Sequence, residues 1–121
     1  MSRVLVTGAL GLVGSNFAAR CLERGDDVVV LDSYARGRSC ALNAAWLKSI
    51  KKNSLLVIHS GGVEDRISVE RAVGVFGGVD YVLHAAAQVS IDSSILNPAL
   101  DFQSNVVGTF NVLDVLRGQC P

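Results

Sequence analysis

The stretch Val6–Asn16, VTGALGLVGSN, sets glycines at 8, 11 and 14 between an apolar run and a segment with helical periodicity. Glycine allows a tight turn there and lets a bulky anion come against bare backbone. A helix opening directly after such a turn presents unpaired N–H groups and a partial positive charge, which together suit a phosphate. Taken alone, Gly-x-x-Gly-x-x-Gly is a weak signal, because 12 of the 121 residues are glycine. Its place between a strand and a helix gives it weight. The second piece of chemistry is Asp32, at the end of the β-branched run VVVL and roughly 20 residues beyond the glycines. A carboxylate at that point accepts hydrogen bonds from adenosine ribose hydroxyls and repels a 2′-phosphate, so it favours NAD over NADP. Arg36 and Arg38 follow closely and could instead pair with that phosphate, which keeps NADP open.

These residues need a scaffold. Arg3–Val6 reads as a strand and Leu12–Arg24 as a helix, with Val13, Phe17, Ala18 and Cys21 at helical spacing and Gly25 as a stop. Val28–Leu31 is a continuous apolar run, as expected of a strand covered on both faces. Ser39–Lys52 reads as a helix with a basic C-terminus, Leu55–Ile58 as a third strand, Ser68–Phe76 as a short helix and Asp80–His84 as a fourth strand. Asn97-Pro98 reads as a cap with proline at the first helical position, opening one long helix to about Arg117. Strand and helix alternate four times. That order predicts an α/β fold, a Rossmann-like parallel sheet with helices on both faces, truncated to about four strands.

Composition narrows the function classes. Half the residues are hydrophobic, 18% are charged and the formal net charge is zero. Such a chain buries a core, and it lacks the basic field that nucleic-acid or membrane-surface binding needs. No apolar run is long enough to span a bilayer, and no signal peptide is expected at the N-terminus. The cysteines at 21, 40 and 120 are odd in number and unpaired in spacing, so no metal site and a reduced cytoplasm are expected.

The glycine spacing departs from the ordinary Gly-x-Gly-x-x-Gly of dinucleotide folds. TGALGLVG resembles the Thr-Gly-x-x-Gly-x-x-Gly loop of the extended short-chain dehydrogenase/reductases, and more narrowly of the NAD-dependent nucleotide-sugar epimerases and dehydratases. VVVLDSYARG, HAAAQVS, LNAAWL and SSILNPALDFQSNVVGTFNVLD carry the same resemblance, the last two nearest to the CDP-sugar 2-epimerase branch. The resemblance implies that Gly8, Gly11 and Gly14, with the backbone of Leu12 and Val13, hold the pyrophosphate of NAD. It implies that Asp32, with Ser33 beside it, holds the adenosine ribose, and that Ala85, Ala86, Ala87 and Gln88 pass under the cofactor. The family carries Gly-Asp-Ile/Val after the third strand, its Asp reaching the adenine. Here the text is SGGVED, with Gly62 in place of that Asp. Val63 can still offer backbone contacts, and Glu64 or Asp65 could substitute for the lost carboxylate.

The resemblance also implies hydride transfer through the nicotinamide, with a Tyr-x-x-x-Lys pair as acid/base on a nucleotide-sugar substrate. Tyr34 is followed four residues on by Arg38 and Tyr81 by Ala85, and the lysines stand at 48, 51 and 52. The pair is not in these 121 residues, and no catalytic residue is assigned. The expectation is that residues 1–121 are an NAD-binding domain fragment of such an epimerase without the catalytic and substrate-binding parts; the alternatives are another dehydratase or reductase of the superfamily, or a non-catalytic dinucleotide-binding module. A half-sheet with an exposed edge is also expected to self-associate. His84, Asn105, Ser93, Ser94 and Asn97 stay open between a site role and ordinary packing, turn and cap roles.

Overall fold

Residues on the two central strands alternate between two separate cores. Val4, Val6, Val28 and Val30 belong to one cluster, and Leu5, Val29 and Leu31 to the other. All are 0% exposed, and full burial of each such side chain contributes about 1.5–3 kcal/mol. Strand side chains point to alternate faces, so these runs demand cover on both sides. The computed structural model describes residues 1–87 and 95–119. Its strands are β1 (Arg3–Thr7), β2 (Asp27–Asp32), β3 (Leu56–Ser60) and β4 (Tyr81–His84). They form one parallel sheet in the order β3-β2-β1-β4. The register pairs Val6 with Val30 on one side and with Leu83 on the other.

Helices α1 (Leu12–Arg24) and α2 (Arg38–Ile50) cover the first face, where Ala18, Leu22, Ala44 and Leu47 join the core. The second face is covered by α3 (Arg66–Gly74) and by a C-terminal helical run. That run is α4 (Pro98–Phe102), a π-helical turn (Gln103–Val107) and α5 (Gly108–Gln119). Gly108 lets α5 approach the loop after β3, since a Cβ there would press on Val63 Cγ2 and stand 3.2 Å from Val63 Cβ.

The expected elements are all present, with shifted ends. Asp65 starts α3 two residues early by accepting from the Ile67 N–H and the Ser68 hydroxyl. Lys51 is extended, so α2 stops at Ile50 rather than at Lys52. Asn97 caps α4 from its side chain to the Leu100 N–H, with Pro98 at the first turn as expected. The one long helix from 98 to about 117 is corrected: it is interrupted over 103–107, where the backbone opens to π geometry. Phe102, Val106, Phe110 and Leu113, three or four residues apart along this run, are each more than half exposed.

Candidate functional site

The chain steps from β1 outward to β2 and β3, then crosses back to place β4 on the other side of β1. The crevice at that reversal lies outside the carboxyl ends of the strands, where open α/β sheets bind ligands. A cavity of about 750 Å³ occupies it, within the range of small-molecule sites. Four strand-end loops and the C-terminal helical run wall it.

The loop after β1 is made of backbone. Gly8 has φ +65°, and its N–H donates to Leu31 O at 2.9 Å. A Cβ on Gly8 would meet Ala86 N at 2.6 Å and Ala86 Cα at 2.7 Å. A Cβ on Gly14 would press on Gly8 O and come within 2.6 Å of Ala9 Cα. The glycines therefore hold the turn, the start of α1 and the β4 loop in direct contact. Helix α1 begins with Gly11 as a cap that has no side-chain acceptor, and its first turn carries no acidic residue. The first intrahelical bond runs from the Ser15 N–H to Gly11 O at 3.1 Å. The first turn thus lines the cavity with no capping side chain on its N–H groups, as an anion site requires.

Asp32 ends β2, 8% exposed. Its Oδ2 accepts from the Leu10 N–H at 2.9 Å and its Oδ1 from the Tyr34 N–H at 2.8 Å. The Cys40 thiol also donates to Oδ1, at 3.9 Å; a carboxylate offers about four lone-pair positions, so Oδ2 keeps one for a ligand hydroxyl. The two bonds hold the carboxylate against the glycine turn on one side and the β2 loop on the other. Asn43 of α2 adds a bond from its amide to Leu10 O at 2.7 Å.

Twelve of the thirteen residues expected at a dinucleotide line this one cavity. Gly8, Gly11, Leu12, Val13 and Gly14 come from the first loop, and Asp32, Ser33 and Arg36 from the second. Val63 comes from the third, and Ala85, Ala86 and Ala87 from the fourth. Gln88 lies outside the described residues, as do Ser93 and Ser94. Leu31, Ala35, Cys40, Gly61, Leu100 and Ser104 line the cavity as well. Gly61 was signalled by its place beside Gly62. Leu100 and Ser104 had no local signal, because the path of the last helical run brings them there.

The departure at Gly62 has a structural counterpart. A Cβ on Gly62 would collide with the Glu64 carboxylate, whose carbon would stand 2.5 Å away. The Glu64 side chain folds over the bare glycine and lines the cavity. Asp65 is committed to capping α3, so of the two neighbouring acids Glu64 is the one at the cavity wall.

His84 ends β4 with both ring nitrogens engaged. Nδ1 lies 2.6 Å from Thr7 Oγ1 and Nε2 lies 2.9 Å from Thr109 Oγ1. Burial pushes its pKa below the ordinary histidine value, so the ring is neutral at neutral pH. Asn105 donates from its side chain to Asp101 Oδ1 at 3.0 Å, a contact within the helical run. Among the described residues no cluster of histidine, cysteine and carboxylate is arranged for a metal, and no helix is long and apolar enough to cross a membrane.

Comparison with known proteins places this geometry in a family. A sequence profile for the NAD dependent epimerase/dehydratase family matches residues 4–120. The CDP-paratose 2-epimerase of Salmonella typhi is 35% identical over 115 residues, 95% of this chain and 32% of that protein. The dTDP-glucose 4,6-dehydratase of Xanthomonas campestris is also 35% identical, over 97% of this chain and 32% of its own length. A crystal structure of the Thermus thermophilus UDP-glucose 4-epimerase in complex with NAD superposes with a TM-score of 0.76 at 34% identity. It covers 97% of this chain and 34% of the solved one. The chain spans about a third of the length of the relatives it matches.

Proposed function

The chain belongs to the NAD dependent epimerase/dehydratase family, and on that premise we propose that residues 1–121 are the NAD-binding portion of a nucleotide-sugar epimerase of the CDP-sugar 2-epimerase kind. One observation carries the cofactor reading. The uncapped start of α1 and the carboxylate of Asp32 open onto the same cavity, joined by the 2.9 Å bond from the Leu10 N–H to Asp32 Oδ2. A dinucleotide presents a pyrophosphate and a ribose diol in that order, and these two groups complement them. The residues fit the cofactor in a second way. Gly8 and Gly14 leave room only for backbone in the turn, and the small side chains of Ala85, Ala86 and Ala87 (the alanine shelf) line the same cavity.

Bound NAD would supply a hydride acceptor and donor. The residues of this chain bind the pyrophosphate, orient the ribose and hold the shelf, and none of them is assigned the acid/base role. The likeness to the Salmonella typhi CDP-paratose 2-epimerase supports the 2-epimerase branch. The equal identity to a dTDP-glucose 4,6-dehydratase supports a second reading, a dehydratase of the same family. A nucleotide sugar is the proposed substrate class in both.

Isothermal titration with NAD and NADP tests the cofactor reading. NAD is expected to bind more tightly than NADP. Asp32→Ala, which removes the acceptor for the ribose, is expected to weaken NAD by about tenfold or more, since bonds to a charged group contribute about 1.5–3 kcal/mol. Equal binding of NAD by the variant and the parent chain would refute the assignment of Asp32.

A further inference from the structure

We propose that His84, protonated on Nε2 and bare on Nδ1, is a positioning residue that ties the alanine shelf of the cavity to the π-helical turn carrying Ser104. The argument is one of hydrogen-bond direction. Thr109 Oγ1 lies 2.6 Å from Asn105 O. A carbonyl only accepts, so the single hydroxyl proton of Thr109 goes there. The 2.9 Å contact between Thr109 Oγ1 and His84 Nε2 must then be donated by the ring. A neutral imidazole has one N–H, so Nδ1 is an acceptor, and Thr7 Oγ1 donates to it at 2.6 Å. Having given its proton, Thr7 Oγ1 accepts the Ala86 N–H at 3.3 Å. Every donor in this chain is used once and every contact has a direction.

The other ring states break the chain. With the proton on Nδ1, Nε2 would turn a lone pair toward a hydroxyl oxygen whose proton is committed. With both nitrogens protonated, Thr7 Oγ1 would receive both the ring and the Ala86 N–H, and its own proton would have no acceptor. Thr7 is 0% exposed, and among the described residues its hydroxyl has no contact besides His84 and Ala86.

The two ends of the relay are both walls of the cavity. Ala86 is the residue that stands against bare Gly8, and it lines the cavity. Asn105 belongs to the π-helical turn, whose Ser104 also lines the cavity. One imidazole in one tautomer thereby sets the spacing of two walls that no covalent segment of fewer than about twenty residues joins. The consequence for NAD rests on the dinucleotide reading, whereas the tautomer does not.

The sequence has two histidines, at 59 and 84, so His59→Gln leaves His84 as the only imidazole. Long-range proton–nitrogen correlation on that variant at pH 7.5 is expected to show a protonated Nε2 and a bare Nδ1. A protonated Nδ1, or a rapidly exchanging mixture, overturns the proposal. Titration of NAD into Thr109→Val, which deletes the acceptor of the Nε2–H, is expected to be about threefold to tenfold weaker than into the parent chain. Thr109→Ser keeps the hydroxyl and is expected to bind within about twofold of the parent. Unchanged affinity in Thr109→Val overturns the positioning role. Absence of NAD binding in the parent chain overturns the dinucleotide reading instead, and the nitrogen signals still decide the tautomer.

Discussion

Two strand ends line the same cavity and are built by different means. After β1 the turn is held by what is missing: Gly8 and Gly14 have no side chains, so backbone packs on backbone, Gly14 against Gly8 and Ala9 within the turn and Gly8 against Ala85 and Ala86 after β4. After β4 the loop is held by what is present: Thr7, His84 and Thr109 bond across separations of 77 and 25 residues. The strands behind them differ in the same sense. Every residue of β1 after Arg3 is buried, because β2 and β4 flank it, whereas β4 pairs with β1 alone and keeps Tyr81 exposed. A site made from bare glycine backbone tolerates no added atom. A site made from a side-chain relay is long-range and depends on protonation.

The largest expected effect comes from breaking the first kind. Gly8→Ala places a Cβ 2.6–2.8 Å from the backbone of Ala85 and Ala86, at a φ of +65°. Backbone cannot move aside as a flexible side chain does. Steric strain and the unfavourable left-handed conformation together should cost about 3 kcal/mol or more, and NAD binding should be lost. Urea unfolding and calorimetry check this. If the variant were as stable as the parent, the contact between the glycine turn and the alanine shelf would not be the tight junction the geometry shows.

The second kind should respond to acid. Burial holds the His84 pKa below its unfolded value of about 6.5. As pH falls below about 6.5 the unfolded chain takes up this proton before the folded chain does, so stability falls until the lower folded value is passed. The contribution is fully present above that window. The carboxylates act elsewhere. Asp80 is held low by the Arg3 N–H and guanidinium, and Asp114 by Arg117 and Arg66. Their contributions are present above about pH 4 and are lost as pH falls below it. Stability measured from pH 7.5 to 5 should therefore decline in the parent chain and decline less in His84→Asn. Identical pH profiles would show that the relay carries no linked proton.

The contrast also decides what could be read from the sequence. That the glycine loop and Asp32 come to one crevice was legible, because both sit at the ends of strands whose apolar runs are local signals. The two-faced burial of VVVL was legible for the same reason, since alternation and β-branching are local properties. His84 was visible as a strand-end histidine, but its partners at 7 and 109 follow no spacing rule, and only the parallel register of β4 on β1 brings Thr7 beside it. The π-helical turn was illegible too. NPALDFQSNVVGTFNVLD has unbroken helical character, and neither proline nor glycine falls within the five residues that open to the wider geometry. Which of Glu64 and Asp65 stands at the cavity was not legible, because it depends on Asp65 capping α3.

The smallest effect sharpens the comparison most, because it uses the same substitution with the opposite sign. Gly74 closes α3, and a Cβ built there meets nothing within 4 Å. Its φ lies outside the left-handed range, and Val75 continues in right-handed helical geometry. Alanine can adopt this conformation without strain, and it reduces the freedom that the unfolded chain loses on folding. Gly74→Ala should therefore stabilise the chain by about 0.5 kcal/mol, seen as a higher urea midpoint at unchanged slope, with NAD affinity unaltered. Because Gly8 and Gly74 differ in what surrounds the missing Cβ and not in residue type, a loss in both variants would mean that glycine matters here for a reason other than contact. A loss at Gly8 with a small gain at Gly74 assigns the effect to the turn against the alanine shelf.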